Sequence, residues 1–209
     1  TRGKPYPAEA QNITTFTAGR FTPRPADLAV VTEGLEATEP EGLPPLLPLR
    51  APMPPRAGLP TALLITEEDC RVEDFDLAAF EIRTTASLAA SDLRSPLPVA
   101  DLVRRFEDVA LADAVQRLGR PAVALQALDP AAIVRWAAAA GVQQIVTAYV
   151  PQGPLRDWLD AALPALEARN IALCELRRDW DSVIWPHATA GFFKVKQRIP
   201  QLIGDLLPA

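Results

Sequence analysis

The segment best suited to bind a ligand covers residues 149–157. A strand-like run, residues 144–149, ends at Tyr149, which is the first residue of this segment. Gly153 then allows a tight turn, and Pro154 suits the first position of a helix. Free backbone N–H groups at that helix start, with Arg156 one turn in, can hold a phosphate or a carboxylate. We therefore take Tyr149, Gly153 and Arg156 as candidate cofactor-binding residues.

Arg156 has an alternative role as scaffold. Asp157, Asp160 and Asp179 are all candidate partners for its guanidinium group, and a pair with any of them would leave the arginine serving the fold. The residue types alone leave both roles open.

A second candidate segment, residues 177–187, holds two of the four tryptophans and the only histidine. Trp180 and Trp185 are five residues apart, so they would not share a helix face, and an extended or irregular path is expected. Trp180 is added to the candidate cofactor-binding residues, although tryptophans commonly close a domain edge. His187 can titrate near neutral pH, but it lacks a neighbouring nucleophile, so a structural or helix-capping role is expected.

Several common sites are not supported by the sequence. It contains neither a glycine-rich dinucleotide fingerprint nor a phosphate-loop lysine motif. The two cysteines, Cys70 and Cys174, are too few and too far apart for a disulfide framework or a metal knuckle, and both are expected to be buried, inert thiols. The histidine, cysteines and carboxylates suggest no metal-ligand cluster.

The elements that would position these segments begin at about residue 61. Short apolar runs at 62–66, 81–87, 122–125, 144–149 and 171–176 predict strands. Apolar spacing predicts helices over 99–118, 130–140 and 155–168, and Pro164 should kink or split the last one. The alternation of strands and helices predicts an α/β fold with an open, mainly parallel, Rossmann-like sheet and helices on both faces.

Two details of the predicted elements bear on surfaces. The helix over 99–118 carries apolar residues along one side: Leu102, Val103, Phe106, Val109, Ala110 and Val115. Residues 191–203, with three basic residues beside apolar ones, predict a last helix laid on the sheet with its basic face solvated; docking of a partner or nucleic acid there is the alternative.

The carboxyl ends of parallel strands form the ligand-binding edge of such folds, where Glu67-Glu68-Asp69 would also lie.

The composition locates a boundary in the chain. Twelve of the 22 prolines lie in the first 60 residues, and the stretch 43–55 predicts a semi-rigid linker. We expect residues 1–60 to be an irregular, proline-rich segment and residues 61–209 to be the α/β domain. The net charge of −5 argues against a general nucleic-acid binder. With no apolar run long enough for a membrane span and no signal peptide, we expect a cytoplasmic protein.

Two stretches resemble the photolyase/cryptochrome family of flavoproteins. Lys4-Pro5-Tyr6, Gln11-Asn12-Ile13, Phe16-Thr17 and Arg20-Phe21 are similar to the end of that family's helical flavin domain, with Gln11 and Phe16 in place of Glu and Tyr. Tyr149, Pro151, Gly153 and Arg156-Asp157 resemble the Tyr-x-Pro-x-Gly-x-x-Arg-Asp run of its antenna-like α/β domain. The two matches cover some 30 residues.

The resemblance implies a flavin-domain tail at residues 1–60 and an antenna-like domain at 61–209. In the family the α/β domain comes first, so this order is that of a permuted or fused relative, unless one match is fortuitous. The family implies FAD in the whole protein, a helical flavin-binding domain as partner, and light-driven electron transfer to damaged DNA. The flavin-binding core lies outside these residues, so no flavin contact, electron-transfer tryptophan or lesion-binding residue is carried over.

The expected function is therefore a structural or antenna-like part of a flavoprotein in light-dependent DNA repair or light sensing. A different function fits the lack of a catalytic constellation. In that case the chain is a non-enzymatic α/β module that binds a ligand or another protein and is connected to a proline-rich tether. A small hydrolase or transferase that uses His187 is the remaining alternative.

Overall fold

The computed structural model describes residues 8–29, 47–189 and 191–206. Two compact units divide the chain, Thr1–Pro48 and Leu49–Ala209. In the first unit, residues Ala10–Phe16 form a helix (α1) and Pro25–Asp27 a 3-10 turn. The Gln11-Asn12-Ile13 match lies on α1. The Lys4-Pro5-Tyr6 match and residues 43–46 of the proline-rich stretch lie outside the described residues.

The second unit is built on one five-stranded sheet. Its strands are Pro60–Thr66 (β1), Glu81–Ala89 (β2), Val123–Gln126 (β3), Gln144–Ala148 (β4) and Ala172–Leu176 (β5). The order is β3-β2-β1-β4-β5, and every neighbouring pair is parallel. The predicted open α/β fold with a Rossmann-like sheet is therefore confirmed. The winding direction reverses between β1 and β4, which is where such folds form a crevice.

Helices cover both faces of the sheet. They are Asp101–Leu118 (α2), Ala131–Ala139 (α3), Pro154–Glu167 (α4), Asp179–Ile184 (α5), Phe192–Lys196 (α6) and Ile199–Leu206 (α7). Alternate residues of β1 serve the two faces: Ala62 and Leu64 pack with α3 and α4, whereas Leu63 and Ile65 pack with α2. A strand buried on both faces needs a continuous apolar run, which is why β1 has no polar alternation.

Helix α2 turns most of its predicted apolar side away from the core, although Val115 of that side packs against the core. Its buried residues are Glu107, Leu111 and Ala114. The larger apolar side chains are exposed: Leu102 and Phe106 by 77%, Val109 by 69% and Val103 by 49%. An apolar side of a surface helix ordinarily faces the core, so this orientation leaves an apolar face of α2 that the described residues do not cover.

Two local predictions are corrected by the structure. The helix α4 is not split at Pro164, because it runs unbroken to Glu167. The predicted single helix over 191–203 is instead two short ones, α6 and α7, with Pro200 in the first turn of α7, where a missing N–H costs nothing. The three basic residues of this tail are exposed, as predicted.

The path around the tryptophans also differs from the prediction. Residues 179–187 are helical, with α5 followed by the 3-10 turn Trp185–His187, not extended or irregular. The five-residue spacing still separates the two rings, so Trp185 packs towards the sheet while Trp180 stays 55% exposed.

Residues 49–59, which we name the strap, belong to the α/β unit although the sequence places them in the linker. Glu175 N donates to Met53 O (3.0 Å) on the outer edge of β5. The buried Gln144 side chain accepts from Arg56 N (2.9 Å) and donates to Arg56 O (2.8 Å). Prolines in the strap lack N–H groups, so the strap covers the sheet edge without offering a new one for pairing.

Candidate functional site

The candidate site lies at the carboxyl ends of β4 and β5. Tyr149 follows β4 directly and is only 7% exposed. Its ring lies 5.6 Å from the Trp185 ring, and the guanidinium groups of Arg50 and Arg177 lie 4.6 and 5.3 Å from its centre. Both distances suit cation–π attraction. We name Tyr149, Trp185, Arg50 and Arg177 the Tyr149 cluster.

Beside this cluster, Glu175 is the centre of a buried charge network. Its Oε1 accepts from Val150 N (2.9 Å) and from Arg50 Nη2 (2.8 Å), and its Oε2 accepts from Arg50 Nη1. Arg156 Nη1 lies 3.4 Å from Glu175 Oε1, and Arg156 Nη2 donates to Asp160 Oδ1 at 2.6 Å. The bidentate bond to Glu175 raises the pKa of Arg50. The network ties the strap, β5 and α4 together.

A cavity of about 550 Å³ lies along the outer edge of β5, between the strap and α4. Apolar walls come from Met53, Leu163 and Leu173, and charged groups from Arg50, Arg156 and Glu175. Arg156 is 3% exposed, and its Nε has no hydrogen-bond partner among the residues that the structure describes. The cavity could accommodate a small, partly apolar molecule, but its walls supply no serine or cysteine nucleophile.

The structure brings together some, but not all, of the candidate cofactor-binding residues predicted from the sequence. The Tyr149 ring contacts Arg50 of the Glu175 network, and Arg156 pairs with Glu175 itself. Gly153 directly precedes the start of α4. The guanidinium group of Arg156 is directed at Asp160 and Glu175, which is its scaffold alternative with one of the expected partners. Whether these residues bind a cofactor stays a prediction.

Trp180 lies apart from the other candidates. It lines a small apolar cavity of about 220 Å³ with residues of α5, α6 and α7, among them Ile184, Ile199 and Leu206. Trp185, which sequence reasoning did not choose, is the tryptophan that contacts Tyr149.

Sequence reasoning also missed Glu175 and Glu107. Glu175 had a usable signal, because a charged residue within the apolar run 171–176 must find a partner when the strand is buried. Glu107 had none, since acidic residues on helices are usually solvated. It is 7% exposed, and its Oε1 accepts from Ala90 N (2.7 Å) and Ser91 N (2.8 Å), while Ser91 Oγ donates to Oε2.

The acidic segment after β1 is tied to arginines. Arg94 Nη2 donates to Glu67 Oε1 (3.0 Å) and to Glu68 Oε1 (2.9 Å), and Arg178 holds Asp69 through two nitrogens. Glu67 Oε2 is buried, and the described part of the chain gives it no hydrogen-bond partner. Burial raises the pKa of the Glu67 carboxyl, and the bond from Arg94 offsets this only in part.

Glu67 should therefore make stability depend on pH. A carboxyl with a raised pKa binds its proton more tightly in the folded state. Its stabilising contribution is present below the unfolded-state pKa and is lost as pH rises through the folded-state pKa. We expect the free energy of unfolding of the natural protein, relative to Glu67→Gln, to fall in urea titrations as pH rises above the ordinary pKa of a glutamate side chain, roughly 4.3. A difference that stays constant or grows with pH would contradict this.

The remaining candidates show little reactive character. Cys174 is buried, and burial raises the pKa of its thiol to about 11, so it is protonated at neutral pH. His187 is half-buried at the end of its 3-10 turn. Among residues 8–29, 47–189 and 191–206, histidine, cysteine and carboxylate side chains form no group of three able to hold a metal ion. None of the helices described is both long enough and apolar enough to cross a membrane.

Comparison with known proteins adds no family to this picture. No protein-family model matches the chain, and no curated protein matches its sequence.

Proposed function

We propose that this chain is the structural or antenna-like α/β portion of a photolyase/cryptochrome-like flavoprotein that acts in light-dependent DNA repair or light sensing. The observation that carries the proposal is the position of the Tyr149–Pro151–Gly153–Arg156–Asp157 pattern. It spans the turn from β4 to α4, beside the reversal point of a five-stranded parallel sheet.

The contacts of this pattern explain why these residue types occur at this spacing. Tyr149 fills the space between Trp185 and two arginines, and Arg156 reaches the buried Glu175 from the first turn of α4. The contacts of both side chains link β4, α4 and β5 to one another. This favours a supporting role in which FAD and the light-driven step belong to a helical flavin-binding domain of the same protein, with damaged DNA reached through that domain.

The experiment is to illuminate the native protein that carries this chain in the presence of DNA with pyrimidine dimers. We expect repair, or in a light sensor flavin photoreduction, only under blue light. The matched variant His187→Ala should keep the same rate, because no group of this chain takes part in the chemistry. Activity in the dark, or its loss in His187→Ala, would contradict the proposal.

A second candidate is a non-enzymatic α/β interaction module on a proline-rich tether. The observation in its favour is the exposed apolar side of α2, which no contact within the domain explains. Blue-light-dependent repair by the native protein would reject this function as a complete account, whereas a native protein without flavin would favour it.

A further inference from the structure

Helix α6 exposes two adjacent aromatic rings. Phe192 is 64% exposed and Phe193 is 74% exposed, and their ring centres lie 5.8 Å apart. The inward side of the helix is already in use, because Val195 lines a small cavity together with residues of α5 and α7. At 100° per residue, Phe193 lies about 160° around the helix from Val195. The two rings therefore form a second apolar surface, which the described residues do not cover.

Positive charges without partners lie beside these rings. Lys194, Lys196 and Arg198 are exposed and form no ion pair with any residue that the structure describes. Lys196 projects between the two rings, about 40° around the helix from Phe192 and about 60° from Phe193. Residues 182–204 contain no aspartate or glutamate, so these three charges stand against −8 in the rest of a chain whose net charge is −5. We name the two phenylalanines and the three basic residues the α6 patch.

An apolar cavity of about 220 Å³ lies next to the α6 patch, between α5, α6 and α7. Every residue that lines it is aliphatic or aromatic, and two of them, Trp180 and Ile203, are 55% and 49% exposed. Val195 joins the cavity to the patch, because it belongs to the helix that carries the patch. An apolar cavity beside unpaired cations suits a molecule that has both an apolar chain and an anionic head.

We propose that the α6 patch is a docking surface for a lipid bilayer with anionic headgroups. The Phe192 and Phe193 rings enter the boundary between headgroups and acyl chains, and the three basic side chains meet the headgroups. Lysine and arginine stems can lie along apolar surface while their charges stay in water. The cavity beside Trp180 accepts part of an acyl chain. Such contact is peripheral, and it is independent of the function proposed for the chain.

The geometry favours a bilayer over a nucleic acid. Successive bases of a single strand present nearly parallel faces, whereas the Phe192 and Phe193 rings are inclined by 62°, so they cannot both stack on such bases. Binding to duplex DNA commonly uses more phosphate contacts than three cations can make. The wholly apolar cavity also matches an acyl chain and neither a phosphate nor a base edge.

The first test is co-sedimentation of the full chain with vesicles of phosphatidylcholine and phosphatidylserine in equal parts, and with vesicles of phosphatidylcholine alone. We expect binding to the anionic vesicles only, and weaker binding as salt is added. Phe192→Ala/Phe193→Ala and Lys194→Gln/Lys196→Gln should each lower the affinity roughly tenfold or more. The four side chains are exposed, so the circular dichroism spectrum should not change.

Matched controls remove similar groups elsewhere on the surface. Leu97→Ala/Leu128→Ala truncates two side chains that are 72% and 73% exposed, and Arg105→Gln/Arg120→Gln removes two exposed cations. Both should bind vesicles as the natural protein does. A natural protein that stays in solution with anionic vesicles, or controls that lose as much affinity as the patch variants, would overturn the proposal. Binding of single-stranded DNA through the patch, with no vesicle binding, would overturn it in favour of a nucleic acid.

Tryptophan fluorescence tests the part assigned to the cavity. Lipids with brominated acyl chains quench tryptophans that reach the chain region. We expect them to quench the natural protein and to lose most of that effect in Trp180→Phe, because the other three tryptophans are more buried than Trp180. Equal quenching in Trp180→Phe would show that the cavity takes no acyl chain.

Discussion

Replacement of Glu175 by glutamine is expected to lower the free energy of unfolding by about 3–5 kcal/mol. The change is nearly isosteric, but it removes the buried negative charge that contacts both Arg50 and Arg156. Arg156 is 3% exposed, and among the described residues its remaining ion-pair partner would be Asp160. The measurement is urea unfolding followed by circular dichroism.

The matched control for this prediction is Glu167→Gln. Glu167 is an exposed residue of α4, so its change should stay within about 0.5 kcal/mol. Adding Arg156→Met to Glu175→Gln should recover part of the loss, because the second change removes the charge that the first left unpaired. A loss below about 1 kcal/mol in Glu175→Gln would show that the network does not hold β5, α4 and the strap together.

Replacement of Glu107 by alanine is expected to cost about 3 kcal/mol. The carboxylate accepts two backbone N–H groups and one hydroxyl group just after β2, and alanine would leave all three donors buried without partners. Hydrogen exchange should locate the effect, because the amides of Ala90 and Ser91 lose their acceptor and should exchange faster, along with the end of β2.

Gln116→Ala is the control for Glu107→Ala. Gln116 is an exposed polar residue of the same helix, so a similar loss of polar atoms there should leave stability almost unchanged. Equal stability of the two variants would mean that Glu107 is not the anchor of α2.

The sheet was predictable because its signals are local and repeated. The apolar runs at β1, β4 and β5 are too long for alternation and too short for helices. Gly119, a residue type that favours the left-handed conformation, ends α2 in that conformation. At the start of α3, the Asp129 side chain accepts a hydrogen bond from Ala131 N at 2.9 Å. Each of these features depends on residues close in the chain.

The features that sequence reasoning missed depend on residues far apart. Glu175 meets Arg50 across 125 residues, and Trp185, not Trp180, reaches Tyr149 because α5 turns it inward. The orientation of α2 is the clearest case. Its apolar stripe predicts an inward face, yet three donors near β2 hold Glu107 inside and turn Phe106 outward. No spacing rule within the helix contains that information.

The absorption spectrum of the native protein that carries this chain tests the central claim most directly. We predict flavin absorption bands after purification without added cofactor, with the bound flavin released on denaturation and identified as FAD. A native protein with no flavin absorption would contradict the account, because the Tyr149 turn would then be a feature of the α/β fold alone.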